Sequence, residues 1–119
     1  MERIRIGLVG CGGMGTRHLH GLRSLKQTPF NNVDLVALCD VNKENAELAA
    51  KEAFHLLGVT PRTFTDLASM ISEIEMDAVD VVTDPSVHHE VACAALEMGL
   101  HIMVEKPMAI TVGTCRMMI

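Results

Sequence analysis

Tryptophan and tyrosine do not occur in this chain, and phenylalanine occurs only three times in 119 residues. Acidic residues outnumber basic ones, fifteen to ten, leaving a formal net charge of −5. A nucleic-acid surface is built from a basic patch, often with aromatic platforms for the bases, and both ingredients are missing here. No apolar run approaches the length of a bilayer span, so no membrane partner is expected. The opening run, MERIRIGLVG, passes straight into a strand-like segment without a small-residue cleavage site, so no secretory leader is expected. The four cysteines (Cys11, Cys39, Cys93, Cys115) lie far apart and include no C-x-x-C pair. That spacing argues against a disulfide framework and for free thiols in a reducing cytoplasm.

What is present is apolar and periodic. Hydrophobic residues make up 49% of the chain and charged ones 21%, a balance that packs into a globular core of one domain. Short β-branched runs alternate with helical patterns. RIGLV (5–9) reads as a buried strand and Gly13 to Lys26 as a helix, followed by a loop at Pro29 and the Asn31–Asn32 pair. VDLVALC (33–39) is a second strand, and NKENAELAAKEAFHLLG a helix closed by Gly58. A third strand is expected near Arg62–Phe64, then a helix capped by Thr65 or Asp66. AVDVVT (78–83) is a fourth strand, followed by a helix capped by Ser86 and ended by Gly99. HIMVEK (101–106) is a fifth, and Thr111 starts a last helix. This alternation predicts βαβ units in a Rossmann-type, doubly wound α/β fold, with a mainly parallel sheet of about five strands.

Four glycines fall within residues 10–15, GCGGMG, between the first strand and the first helix. In that context G-x-G-x-x-G has a mechanical meaning. Gly10 permits the tight turn off the strand, Gly12 lets a pyrophosphate approach the bare backbone, and Gly15 lets helix and strand pack closely. The helix N-terminus offers unpaired N–H groups to phosphate. Gly13 adds slack, and Cys11 and Met14 contribute backbone rather than side chain. Asp40, at the end of the second strand, stands where a dinucleotide-binding domain needs an acceptor for the adenosine ribose hydroxyls. The bland alternative for Asp40 is a helix N-cap. Its charge would repel a ribose 2′-phosphate, so NAD is favoured over NADP, although Lys43 nearby works in the other direction. His18 reads as a packing or hydrogen-bonding residue. The adjacent His88 and His89 point in different directions on a helix, so no shared metal is expected. The nine methionines read as core fillers.

The segment VVTDPSVHHEVACAALEMGLHIMVEKP (81–107) resembles the Gfo/Idh/MocA oxidoreductase family, relatives of glucose–fructose oxidoreductase and inositol dehydrogenase. The resemblance rests on Thr83, His88, the Ala95-Leu96-Glu97-Met98-Gly99 helix end and Glu105-Lys106-Pro107, together with the opening GCGGMGTRH and its His18. It implies that Thr83, Pro85 and His88 lie along the nicotinamide half of the cofactor, with Glu105 near the nicotinamide ribose. Lys106 would face a substrate hydroxyl or carbonyl, its cation stabilising negative charge on oxygen as hydride moves. Pro107 would fix the turn that aims it, across a Lys-Pro bond that is often cis in this family. The substrate implied is a small sugar, polyol or related compound.

Two features depart from the family pattern. Asp84 stands where Pro or Asn is expected; its carboxylate would accept a ribose hydroxyl or repel a phosphate. Full members also carry a second α/β domain that builds the substrate pocket and supplies an acid/base residue. None of it is present, and the chain is expected to end before the last strand of the nucleotide-binding domain. On that expectation residues 1–119 are the NAD(P)-binding domain alone, inactive by themselves and self-associating through exposed apolar surface. Two other readings stand beside the enzyme: a non-catalytic nucleotide-sensing or regulatory module, and an inactive fragment.

Overall fold

In the computed structural model, which describes residues 2–119, five strands form one sheet in the order β3-β2-β1-β4-β5, every pair parallel. The strands are β1 (Ile4–Val9), β2 (Val33–Cys39), β3 (Arg62–Phe64), β4 (Ala78–Val81) and β5 (His101–Val104). The helices are α1 (Gly13–Lys26), α2 (Lys43–Leu57), α3 (Leu67–Glu73), α4 (His88–Glu97) and α5 (Val112–Met118). The chain runs outward from β1 through β2 to β3, then returns to the other side of β1 for β4 and β5. This reversal opens a crevice at the carboxyl ends of β1 and β4, where open α/β sheets hold their ligands.

Alternate residues of each central strand feed opposite faces. Leu8 and Leu38 pack with Leu19, Ala49, Ala53 and Leu57 against α1 and α2. Val9, Ala37, Val79 and Val81 pack with Met70 and Ala95 against α3 and α4. A sheet covered on both faces is what the near-continuous apolarity of these strands requires. The methionines divide, contrary to the core-filling expectation. Met70, Met76 and Met118 are buried, whereas Met14, Met98, Met103, Met108 and Met117 are exposed.

Helix ends follow local chemistry. Asn42, not Asp40, caps α2, its side chain accepting from the Glu44 and Asn45 N–H groups, and Gly58 closes that helix with φ +70°. Asp66 caps α3 by accepting from Ser69 N–H. Thr111 starts α5 through a reciprocal capping box with Thr114. The fourth strand ends at Val81, two residues before the expected limit, because the chain turns there into a 3₁₀ turn, Pro85–Val87. Asp84 rather than Ser86 holds that turn. Its Oδ1 accepts from both the backbone N–H and the hydroxyl of Ser86, which holds the Asp84 carboxyl below its ordinary range. The carboxylate that departs from the family pattern is therefore engaged locally.

Candidate functional site

A crevice of about 600 Å³ lies across the carboxyl ends of β1, β2 and β4, with Gly10, Gly12, Asp40, Thr83 and Asp84 among its walls. Its floor is the glycine turn. Gly10 has φ +103°, and a Cβ there would lie 2.5 Å from Val82 backbone atoms. A Cβ on Gly15 would lie 2.3 Å from Gly10 O, so α1 approaches the turn as closely as main chain allows. A Cβ on Gly12 or Gly13 would meet nothing within 4 Å. Packing therefore explains Gly10 and Gly15, and leaves open space above Gly12 and Gly13. Gly12 is the N-cap of α1 and has no side chain to cap it. The first-turn N–H groups of Gly13, Met14 and Gly15 consequently face that space without a side-chain acceptor, an anion-binding arrangement.

Cys11 is different. Its N–H donates to Asp40 Oδ2 at 2.8 Å, while Asp40 Oδ1 accepts from Asn42 N–H at 2.8 Å. Asp40 thus holds the glycine turn and the start of α2 together, and each of its oxygens keeps a lone pair for a ribose hydroxyl. The Cys11 thiol is buried, and desolvation beside Asp40 pushes it up to about 12; burial likewise pushes Cys39 up to about 11. Neither offers a thiolate at neutral pH.

At the other end, Glu105, Lys106 and Pro107 follow β5. Glu105 N–H donates to Val81 O at 2.9 Å, extending the β4–β5 pairing, and the Lys106–Pro107 bond is cis. Lys106 is exposed, and its ammonium has no hydrogen bond or ion pair among the described residues. The residues on either side of it are held by two histidines. His88 is fully buried, with Nε2 2.9 Å from Thr83 O and Nδ1 2.9 Å from Pro107 O. Its ring lies between the end of β4 and the turn after β5; both neighbours are carbonyl oxygens, so the nitrogen that carries the hydrogen is the one that donates. Thr83 lines the crevice directly, and Pro85 begins the adjoining 3₁₀ turn.

His18 was legible only as a hydrogen-bonding residue, and Asp80 not at all. The two meet across α1 and β4: His18 Nδ1 lies 2.6 Å from Asp80 Oδ2, and His18 Nε2 lies 2.9 Å from Glu105 Oε2. Burial disfavours the charged ring, but hydrogen bonds to the two carboxylates outweigh it, so the His18 pKa is raised. Burial also raises the Asp80 carboxyl, an effect partly offset by His18. Glu105 is lowered, chiefly by its hydrogen bond to His18. With a carboxylate on each ring nitrogen, a hydrogen must lie on both N···O axes. We take His18 as the imidazolium donating to both. The one signal for Asp80 in the sequence was a lone carboxylate inside an otherwise apolar strand, AVDVV.

A glycine turn that leaves its backbone open, first-turn N–H groups without a cap, and an acidic residue directly after β2 together define a dinucleotide-binding Rossmann domain. Residues 4–119 match the model of the Gfo/Idh/MocA oxidoreductases, described as an oxidoreductase family with an NAD-binding Rossmann fold, and the chain belongs to that family. Its cofactor is NAD. The chain is 31% identical over its whole length to D-apiose dehydrogenase of Paraburkholderia graminis, of which it covers 29%. It is 29% identical, over 93% of its length, to glycosyl hydrolase family 109 protein 2 of Akkermansia muciniphila, covering 23% of that protein. The WlbA dehydrogenase of Bordetella pertussis, solved with NADH and UDP-GlcNAcA, superposes with a TM-score of 0.84 at 29% identity, over 98% of this chain and 33% of that one. The chain therefore spans about a third or less of the length of these relatives.

Proposed function

We propose that this chain is the cofactor-holding part of an NAD-dependent oxidoreductase that moves hydride between nicotinamide and the carbinol or carbonyl carbon of a sugar, polyol or related compound. The observation that carries the reading is the pairing of an open glycine turn, braced by Asp40, with an unpartnered lysine ammonium at the same edge of the sheet. The bound nicotinamide supplies the hydride acceptor or donor. The first-turn N–H groups of α1 hold the pyrophosphate, with Gly12 and Gly13 leaving room for it. Asp40 accepts from the adenosine ribose, and its charge disfavours a 2′-phosphate. Thr83 and Pro85 flank the nicotinamide half, and Glu105 the ribose on that side. Lys106 places its cation against the substrate oxygen, stabilising the alkoxide as hydride leaves or arrives. The acid/base partner and the substrate pocket belong to the second domain expected from the family resemblance.

The four unpaired thiols support a reducing, cytoplasmic setting. Among the described residues no helix is long and apolar enough to cross a membrane. Met103 on β5, with Ile110, Val112 and Met117 beyond it, presents exposed apolar side chains and supports self-association. A strictly monomeric sedimentation profile at micromolar concentration would remove that part of the reading.

Titration with NADH and NADPH, followed by nicotinamide fluorescence, tests the cofactor assignment against a background free of tryptophan and tyrosine. NADH binding with little NADPH binding supports it; equal affinity overturns the role given to Asp40. In the catalytically active form, Lys106→Ala is expected to abolish turnover and spare cofactor affinity. Unchanged turnover would take Lys106 out of the chemistry and favour a nucleotide-sensing module.

A further inference from the structure

Asp80 is an uneconomical choice for the middle of β4. It is 4% exposed, flanked by apolar neighbours, and its Oδ1 is buried with no hydrogen-bond partner. Removing a carboxylate from water is costly, and an apolar pair of similar volume would serve packing as well or better. What the buried charge does obtain is His18, on the second turn of α1, bonded at 2.6 Å. The opposite ring nitrogen is thereby directed at Glu105, at 2.9 Å. The remaining Glu105 oxygen, Oε1, accepts the Lys106 N–H at 3.1 Å. A continuous chain of hydrogen bonds thus runs from the interior of β4, through the helix that opens at the glycine turn, to the backbone of Lys106.

We propose that His18 is a positioning residue, a protonated strut that joins Asp80 to Glu105 and so fixes the Lys106 backbone relative to the cofactor-binding helix. His88 packs on the other side of the same turn, its Nδ1 2.9 Å from Pro107 O, so the residues on both sides of the exposed Lys106 meet a histidine ring. The groups facing the His18 ring are Asp80 from β4 and Glu105 from the segment after β5, with the Lys106 charge acting on Glu105. Loss of the ring's second proton leaves one of the two N···O axes without a hydrogen. Glu105 is the more exposed partner, with 26% of its side-chain surface accessible against 5% for Asp80, and is the one released. The turn is then tied on the His88 side alone. The meaning of this strut for hydride transfer rests on the reading of Lys106 above; the strut itself does not.

The experiment is a pH titration of the 119-residue chain by ¹H–¹⁵N NMR, following the His18 ring nitrogens and the Lys106 amide together. In the unaltered protein both His18 nitrogens carry hydrogen at neutral pH, the ring titrates above the ordinary histidine range, and the Lys106 amide shifts with the same midpoint. Glu105→Gln lowers the His18 midpoint and uncouples the Lys106 amide from it. Asp80→Asn lowers the midpoint and keeps the coupling. If Asp80→Asn does not fold, the unaltered protein and Glu105→Gln, altered at a partly exposed site, still decide the matter. A Lys106 amide indifferent to His18 titration, or a midpoint unmoved by Glu105→Gln, overturns the strut. Turnover retained in Lys106→Ala would overturn the chemical reading while leaving the coupling in place. The two failures are therefore distinct.

Discussion

The two ends of this site are built by opposite means. At the glycine end nearly everything is main chain: a left-handed Gly10, a helix pressed to within contact of the turn at Gly15, and N–H groups aimed outward. At the lysine end the main chain contributes the cis Lys106–Pro107 bond, and side chains brace the residues around it: His18 against Glu105, His88 against Pro107 O. The first end fails when atoms are added and the second when atoms are taken away. Pyrophosphate is common to every dinucleotide, so a backbone cradle suffices for it. A single ammonium, in the role proposed for Lys106, would have to be aimed at one oxygen and so fixed by directional contacts.

The largest expected effect tests the first half of that contrast. Gly10→Ala combines a left-handed backbone with a clash against Val82 main chain, and the loss of stability to urea is expected to reach about 4 kcal/mol. Next comes His18→Ala at the other end, which strands the buried Asp80 charge. A loss of about 3 kcal/mol is expected at neutral pH, the low end for a buried pair because His18 is itself one-fifth exposed. Since burial already raises the Asp80 carboxyl, the penalty in His18→Ala should shrink as pH falls and Asp80 takes a proton. In the unaltered protein the sign is the reverse. His18, raised in the folded state, contributes stability that is complete below the ordinary histidine pKa and is lost as pH rises through its folded value. Equal losses in His18→Ala at acid and neutral pH would show that Asp80 is not the stranded charge.

Smaller effects separate holding from packing. Gly12→Ala meets no neighbour, so stability should stay within about 0.5 kcal/mol. NADH affinity should fall about tenfold or more, because the new methyl group occupies the space left for phosphate. Unchanged affinity would mean that the cofactor does not approach this backbone. Smallest of all is the effect of Lys106→Ala on stability, again within about 0.5 kcal/mol, since the side chain is exposed and makes no hydrogen bond or ion pair among the described residues.

Much of the glycine end was legible in the sequence because its signals are local. A turn, a strand before it and a helix after it all lie within one short stretch, and Asp40 directly follows β2 by simple alternation of elements. The lysine end was legible only through family likeness. Its supports come from positions separated by 62 and 87 residues, His18 with Asp80 and His18 with Glu105, and no local pattern records such meetings. His88 was expected beside the cofactor on the strength of the resemblance; its burial between Thr83 O and Pro107 O is another meeting that no local pattern records. Caps were hard to choose for a related reason. Where Asp84 and Ser86, or Asp40 and Asn42, stand two residues apart, either can serve, and the backbone path decides which does.

Asp40 carries a consequence for anyone wishing to redesign the coenzyme preference. Exchanging the acidic residue after β2 for a neutral or basic one is the obvious route to accepting a 2′-phosphate. Here the same carboxylate also receives the Cys11 N–H, so the exchange would detach the glycine turn from its brace. If Asp40 reads the adenosine ribose as proposed, adenosine selectivity and the shape of the phosphate cradle are a single inherited trait. A successful conversion would need a second change that supplies Cys11 with another acceptor.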